Sequence, residues 1–472
     1  MRIAIIGGGI AGLAAAYELE QARQQSAEVE YTLFEASDRL GGCLASEIAG
    51  GAVLERGPDS FITSKPAAAE LCRELGLGAD LIASNDAARK TCIVVHNRLV
   101  PLPDGLMFLV PTKLIPTALT PLFSLPTKLR MGLELLWPPR HSELPDESVA
   151  ALVERHFGRE TVDRLADPLL SGIYGGDATQ LSARTVLPGM VEMERKYGSL
   201  TRGMLAASLQ MKARKAASEE SGGIFTAVRG GMRQLVDAVA ARLDPSAVRL
   251  STPVSAVEKT AHGWRIESRQ PEFYDAVILA TPAWAAAALL GQADSALAAE
   301  LRGIPYSSSI TVNLVYDEAQ IGHLPDGFGF LVPASEGRAM LACTFVHRKF
   351  LGRTPPGKAV LRAFLGGMKN EALLDQSDDV LLATVRRELS EILGEQILPQ
   401  QAAPEHAQLS RWRRAMAQYA VGHQLRMQRI NSRLANFPTL RLAGNAYDGI
   451  GGPDCIRLGR QAAKDLISGV EI

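Results

Sequence analysis

Four apolar residues, Ile3 to Ile6, open the chain as a short buried strand. A glycine turn (Gly7–Gly12) follows, then an Ala- and Leu-rich run from Leu13 to Gln21 with helical spacing. A second alternating run, Glu30 to Phe34, completes a strand–helix–strand unit that ends at Glu35. From about 100 to 220 the pattern becomes helical and proline-rich. Val149, Leu152, Val153, Phe157, Val162 and Leu165 predict one helix across Asp146–Leu165, and the small and charged residues of Lys212–Gly223 predict an exposed connection. Helix and strand patterns then alternate. The predicted helices are Met232–Leu243, Gln376–Leu393 and Cys455–Ser468. The predicted strands are Val248–Leu250, Ala256–Glu258, Trp264–Ser268, Ala276–Ala280, Ile310–Val315, Ala359–Phe364 and Leu440–Ala443.

One stretch raises the question of a membrane. Met107–Trp137 is largely apolar, but it carries Pro111, Pro116, Pro121 and Pro126 with Lys113, Lys128 and Arg130. A spanning helix needs about 20 mostly apolar residues, and repeated prolines break it. Short turns forming an internal lid are the first expectation, and peripheral contact with a membrane the second.

Composition narrows the classes. Of 472 residues, 47% are hydrophobic and 21% charged; 50 Lys and Arg balance 51 Asp and Glu. Such a chain is globular, and its length predicts two or three domains. A net charge of −1 gives no bulk attraction to nucleic acid. The five cysteines form no CxxC pair, and the eight histidines show no metal-ligand spacing, so neither a disulfide framework nor a metal is expected. No signal peptide is read before the first strand, and residence in the cytoplasm is expected, with the inner membrane face as a secondary location. No GxSxG motif supports a hydrolase.

The glycine turn carries the chemistry. Gly7, Gly9 and Gly12 match GxGxxG. Gly7 permits the turn, Gly9 admits a pyrophosphate against the backbone, and Gly12 lets the helix pack on the strand. Gly8, Ile10 and Ala11 complete the loop at the helix N-terminus, where anions are favoured. Glu35 stands 23 residues after Gly12, near the ~20 expected for a carboxylate that binds a ribose. These residues predict a dinucleotide site.

The next segment, Glu35-Ala36-Ser37-Asp38-Arg39-Leu40-Gly41-Gly42, resembles the second signature of amine-oxidase and phytoene-desaturase type flavoproteins. The resemblance implies FAD, with Arg39 neutralising phosphate or locking the loop, Gly41 and Gly42 admitting the ligand, and Cys43 beside it as a small core thiol. Leu442–Gly452 resembles the strand, glycine turn and helix that meet the flavin in that superfamily. Gly451, Gly452 and Ile450 are therefore expected at the cofactor, with Val254 and Trp412.

A narrower resemblance covers nearly the whole chain. Leu54–Phe61, Asp167–Asp177, Phe328–Pro333 and Gly451–Ile456 are similar to the porphyrinogen oxidases. The GPDSF and PLLSGIYGGD runs, with Pro453 before Asp454, are closest to the bacterial coproporphyrinogen III oxidases. The resemblance implies a discontinuous Rossmann-like FAD-binding domain (1–90, 222–300 and 405–472), a helical lobe (100–215) and a mixed-sheet substrate-binding domain (301–404), α/β in class and α+β overall. It implies stepwise oxidation of a porphyrinogen in heme biosynthesis, with oxygen as acceptor and hydrogen peroxide as product. No side chain is an evident general base. Gly57, Pro58, Asp59 and Ser60 join the cofactor site. Gly172 is the implied acceptor for a pyrrole N–H, with Leu331 and Phe364 as apolar walls. Lys65, Arg89 and Lys90 are rim cations for propionates; Arg195, Lys196, Arg348 and Lys349 are weaker candidates. Thr91 stands where many protoporphyrinogen enzymes place a propionate-holding Arg, which leaves that anchor open. Candidate partners are the porphyrinogen, oxygen, a membrane surface and neighbouring enzymes of the heme pathway. Protoporphyrinogen IX oxidation, amine or carotenoid oxidation, and a flavin-binding regulator remain alternatives.

Overall fold

The structure, a computed structural model, describes residues 1–107, 109–139, 145–215 and 223–469. Its centre is a five-stranded, all-parallel sheet. The order is Val248–Arg249, Glu30–Phe34, Arg2–Ile6, Ala276–Leu279 and Leu440–Leu442. The first and last strands of the chain thus share one sheet with the middle ones. Buried on both faces, these strands read as continuous apolar runs. The helix Ile10–Gln24 packs against the helix Gly452–Ile467 on one face. Their approach is close enough that a Cβ on Gly459 would stand 2.0 Å from the Ala11 carbonyl oxygen. The other face is covered by an antiparallel ribbon of three strands (Ala256–Thr260, Gly263–Glu267, Glu272–Tyr274), whose Trp264 is fully buried, and by the helices Ala283–Leu289 and Ser295–Arg302.

A second sheet has seven strands. The order is His406–Ala417, Tyr306–Asp317, Lys358–Gly366, Met340–Phe345, Gly329–Leu331, Thr91–Val95 and Arg98–Pro101. All neighbours are antiparallel except Gly329–Leu331 and Thr91–Val95, so the sheet is mixed. The two-residue period divides its faces. Ile310, Val312, Leu314, Leu361, Ala363 and Leu365 enter a core that also holds Leu381, Val385 and Leu389 of the helix Asp378–Leu393. Thr311, Asn313, Arg362 and Phe364 occupy the opposite face, which receives the segment 55–59.

The described residues from 114 to 215 are mostly helical and pack around Val149, Leu152, Val153, Phe157, Leu165 and Leu170. The single helix expected over Asp146–Leu165 is broken. Val149–Phe157 starts at a Ser148 cap and stops at Gly158, whose φ of 89° leaves helical space; a short turn and a π-helical segment, Val162–Ala166, follow. The apolar spacing runs on across the break, so the pattern alone does not reveal it. Within Lys212–Gly223, residues 212–215 continue the helix Leu200–Lys215 and 216–222 lie outside the described residues. In the apolar stretch, Leu122, Phe123 and Met131 are buried, but Ile115, Leu119, Leu125, Leu129, Leu133 and Leu136 are 61% to 77% exposed. The stretch is therefore amphipathic rather than wholly internal. Among the described residues no helix is long and apolar enough to cross a membrane.

The lobe also buries charge. His156 sits with Nδ1 2.9 Å from Glu134 and Nε2 3.3 Å from Glu194, and Arg155 pairs with Glu194 and Glu147. Glu134 also accepts from Ser199 Oγ and from the Leu200 and Thr201 N–H groups, tying down the start of the last lobe helix. Burial pushes the His156 pKa down, but the two carboxylates outweigh it and hold it above the ordinary value. Burial pushes Glu194 up, yet His156 and Arg155 hold it at about 2. A raised histidine contributes stability fully present below its unfolded pKa, about 6.5, and lost as pH rises through the folded value. The depressed Glu194 contributes stability present above about 4.5 and lost as pH falls towards 2. Lobe stability should therefore decline on raising pH beyond about 6.5, and His156→Gln should flatten that decline. Melting temperatures measured from pH 6 to 9 check this; parallel curves for the two proteins would show that His156 does not set the slope.

Candidate flavin and substrate site

The first turn separates glycines the fold needs from one it does not. Gly7 has φ of 107°, and a Cβ on Gly12 would stand 1.9 Å from the Gly7 carbonyl oxygen. Gly9 has ordinary extended backbone (φ −68°, ψ 176°), and a Cβ built there meets nothing within 4 Å. The helix that starts at Ile10 has no side-chain cap, so Gly9 opens onto uncapped N–H groups of its first turn. Glu35 shapes the same cradle: Oε2 accepts from the Gly8 N–H at 2.7 Å, and Oε1 accepts from the Ser37 N–H and hydroxyl. Arg39 donates to the Gly42 carbonyl at 2.7 Å, so it locks the loop here, and Gly41 pairs with Gly9. Ala36 is exposed beside them.

A second segment meets this loop. A Cβ on Gly57 would lie 1.9 Å from the Cys43 carbonyl oxygen, which makes Gly57 a packing requirement. The Arg56 carbonyl accepts from Trp412 Nε1 and Thr311 Oγ1, each at 2.7 Å, fixing the run Gly57-Pro58-Asp59-Ser60 over the seven-stranded sheet. Burial pushes Asp59 up, but Lys349 and Arg362 together hold its carboxyl far below the usual range. Burial raises the Cys43 thiol and pushes Cys455 to about 12, so both stay protonated near neutrality, as core thiols do.

The third wall is the C-terminal turn. Tyr419 braces it, donating to the Asn445 carbonyl at 3.0 Å and accepting from the Gly449 N–H at 2.9 Å. Asp454 accepts from the Gly451 N–H and pairs with Lys65 at 2.7 Å. Ile450 and Gly451 are half-buried, and a Cβ on Gly452 meets nothing within 4 Å. Between the two glycine turns stands Thr281, whose hydroxyl is buried with no hydrogen-bond partner. Val254 follows the segment whose Thr252 N–H donates to the Glu35 carbonyl. Two open glycines at two helix N-termini fit a dinucleotide cofactor with its negative phosphates.

Of the substrate residues, three come together. A Cβ on Gly172 would lie 3.2 Å from Leu331 Cδ2. Leu331, Ala342, Phe364 and Thr311 form one rung of the second sheet, so Leu331 and Phe364 share its polar face. Gly172 stands in the last turn of its helix, where carbonyls lack intrahelical donors. That helix is held at both ends: Lys369 Nζ is 2.7 Å from Asp167, and the Tyr174 carbonyl accepts from Gln418 and Ser307. Lys65 is engaged with Asp454, Lys349 with Asp59, and Arg348 with the carbonyls of Leu324 and Pro325. Arg89 and Lys90 are exposed at the end of the strand Thr91–Val95, beside Phe328. Tyr419, Asn313, Lys369 and Thr281 were not foreseen. The partners of Tyr419, Asn313 and Lys369 lie far away in sequence, and Thr281 has no motif around it.

Comparison with known proteins decides the family. The sequence profile of the flavin containing amine oxidoreductases matches residues 10–467. The chain belongs to that family. It is 32% identical to coproporphyrinogen III oxidase of Bacillus subtilis, over 99% of this chain and 98% of the relative, and equally identical to the Staphylococcus aureus enzyme of the same name, over 99% of each. Chloroplastic protoporphyrinogen oxidase 1 of spinach is 28% identical, over 98% and 83%. Among solved structures, an Exiguobacterium sp. protein described as a candidate protoporphyrinogen oxidase superposes with a TM-score of 0.87 at 32% identity, over 99% of each chain. Putrescine oxidase, at 18% identity and a TM-score of 0.64, shares the fold. As a member of the family this flavoenzyme is an oxidoreductase, and the fold class expected from its sequence is the one observed.

Proposed function

We propose that this enzyme uses FAD to oxidise coproporphyrinogen III to coproporphyrin III, with oxygen as the electron acceptor and hydrogen peroxide as product. The observation that carries the substrate class is the meeting of Gly172 with Leu331 on the rung that also bears Phe364, an apolar surface with a helix-end carbonyl at its margin. A large apolar macrocycle suits such walls, and its pyrrole N–H groups suit that carbonyl. The full-length likeness to coproporphyrinogen III oxidases supports the same reading.

When bound, FAD supplies the two-electron acceptor for each dehydrogenation. The chain does the rest by placement. Gly9, Gly452 and the two helix starts would receive the dinucleotide, and Glu35 would stand at its ribose. Gly172 accepts from a pyrrole N–H and so sets the height of the macrocycle. Leu331 and Phe364 exclude water from the reacting carbon. Arg89 and Lys90 meet propionates at the rim; Lys65 acts through Asp454 on the glycine turn instead.

Protoporphyrinogen IX, with vinyls in place of two propionates, is the competing substrate. Turnover of both porphyrinogens under air, followed by porphyrin fluorescence, should show the higher kcat/KM for coproporphyrinogen. Lys90→Ala should raise the coproporphyrinogen KM by about two- to fivefold, the worth of an exposed ion pair, with kcat unchanged. A wild-type preference for protoporphyrinogen rejects the substrate, and equal effects on both substrates reject the rim cation.

A further inference from the structure

Beneath the Gly57–Ser60 run lies a cluster of charge that the steps above do not use. Arg353 is fully buried, 3.0 Å from Glu55, which is 2% exposed. Lys349 stands 3.0 Å and Arg362 3.7 Å from Asp59. Arg353 donates to the Asp59 carbonyl and Arg362 to the Gly57 carbonyl. Three cations therefore face two carboxylates, and among the described residues no other carboxylate pairs with any of the three. One positive charge is left uncompensated. Arg362 carries its excess most visibly: its Nε has no hydrogen-bond partner, and its guanidinium lies 4.9 Å from the centre of the Phe364 ring.

We infer that Lys349, Arg353 and Arg362 form an electropositive bed that favours the reduced state of a flavin held along Gly57–Ser60. The inference rests on the proposed position of the cofactor. Burying unbalanced charge is costly, so a network serving packing alone would gain from neutrality. A flavin gains negative charge when it accepts a hydride. Fixed positive charge in a water-poor site stabilises that change without reorganisation. The Gly57 and Asp59 carbonyls, held by Arg362 and Arg353, turn their negative ends into the bed.

The test is the midpoint potential of the FAD-loaded enzyme, measured by equilibration with a reference dye at one pH. Lys349→Met should disfavour reduction about tenfold, which is about 30 mV for a two-electron couple. Lys349→Arg should restore the wild-type value, and Asp59→Asn should move it the opposite way. Titration of apoprotein with FAD gives a second readout: in Lys349→Met the reduced cofactor should lose more affinity than the oxidised one. Shifts of one sign in both Lys349→Met and Asp59→Asn, or unmoved potentials in FAD-replete variants, overturn the inference alone. Wild-type protein that does not bind FAD overturns the site assignment with it.

Discussion

Protein carrying Gly9→Val should fold like the wild type and purify without its cofactor. The valine's Cβ meets no protein atom within 4 Å, and the backbone at Gly9 is one that any residue adopts. In the proposed cofactor site the added methyl groups would instead fill the space through which a pyrophosphate approaches the first helix. Loss of that approach and of the N-terminal N–H contacts should weaken FAD by roughly a hundredfold, about 3 kcal/mol. Gly12→Val should behave differently, because its Cβ would collide with the Gly7 carbonyl oxygen at 1.9 Å and break the packing of helix on strand. Circular dichroism and the FAD released by mild denaturation distinguish the two. Full FAD occupancy in Gly9→Val would remove this loop from the cofactor site.

Arg353→Met should destabilise the fold strongly, because it breaks a buried ion pair. It leaves Glu55 buried without its ion-pair partner, held by hydrogen bonds from the Met232 N–H and the Ser46 hydroxyl and by the more distant charge of Arg362. Breaking a buried pair by removing one partner costs about 3–5 kcal/mol, whereas replacing both partners with apolar groups is often neutral. The urea midpoint of Arg353→Met should fall steeply, and Glu55→Leu combined with Arg353→Met should recover most of the loss. Single and double variants that unfold together would show that the pair is not what holds the 55–60 run against the second sheet.

Much of this was legible in the residues because the relevant forces are local. GxGxxG reads as a dinucleotide turn because the positive φ of Gly7 and the contact of Gly12 with the Gly7 carbonyl are both demands within a few residues. The two-residue period of Ile310–Val315 and Ala359–Phe364 exposed both strands, although the first extends to Tyr306–Asp317. The α/β class and the family resemblance were legible for the same reason. Pairings across the chain were not. Lys65 reads as a rim cation until Asp454, 389 positions on, is seen to hold it. Lys369 gave no sign that it would grip Asp167, nor His156 that two glutamates would enclose it. Gly158 ends a helix whose apolar spacing runs on, because periodicity reports a buried face and not the continuity of the backbone.

The sharing of one sheet by the first and last strands has a consequence for the order of synthesis. Gly452 leaves the ribosome more than four hundred residues after Gly9. Until then the helix Ile10–Gln24 lacks the partner that meets it at Gly459, and the parallel sheet lacks its Leu440–Leu442 edge. A nascent chain thus holds half of the cradle throughout that interval. Closure of the cradle then waits for the helix Gly452–Ile467, which acts as its latch.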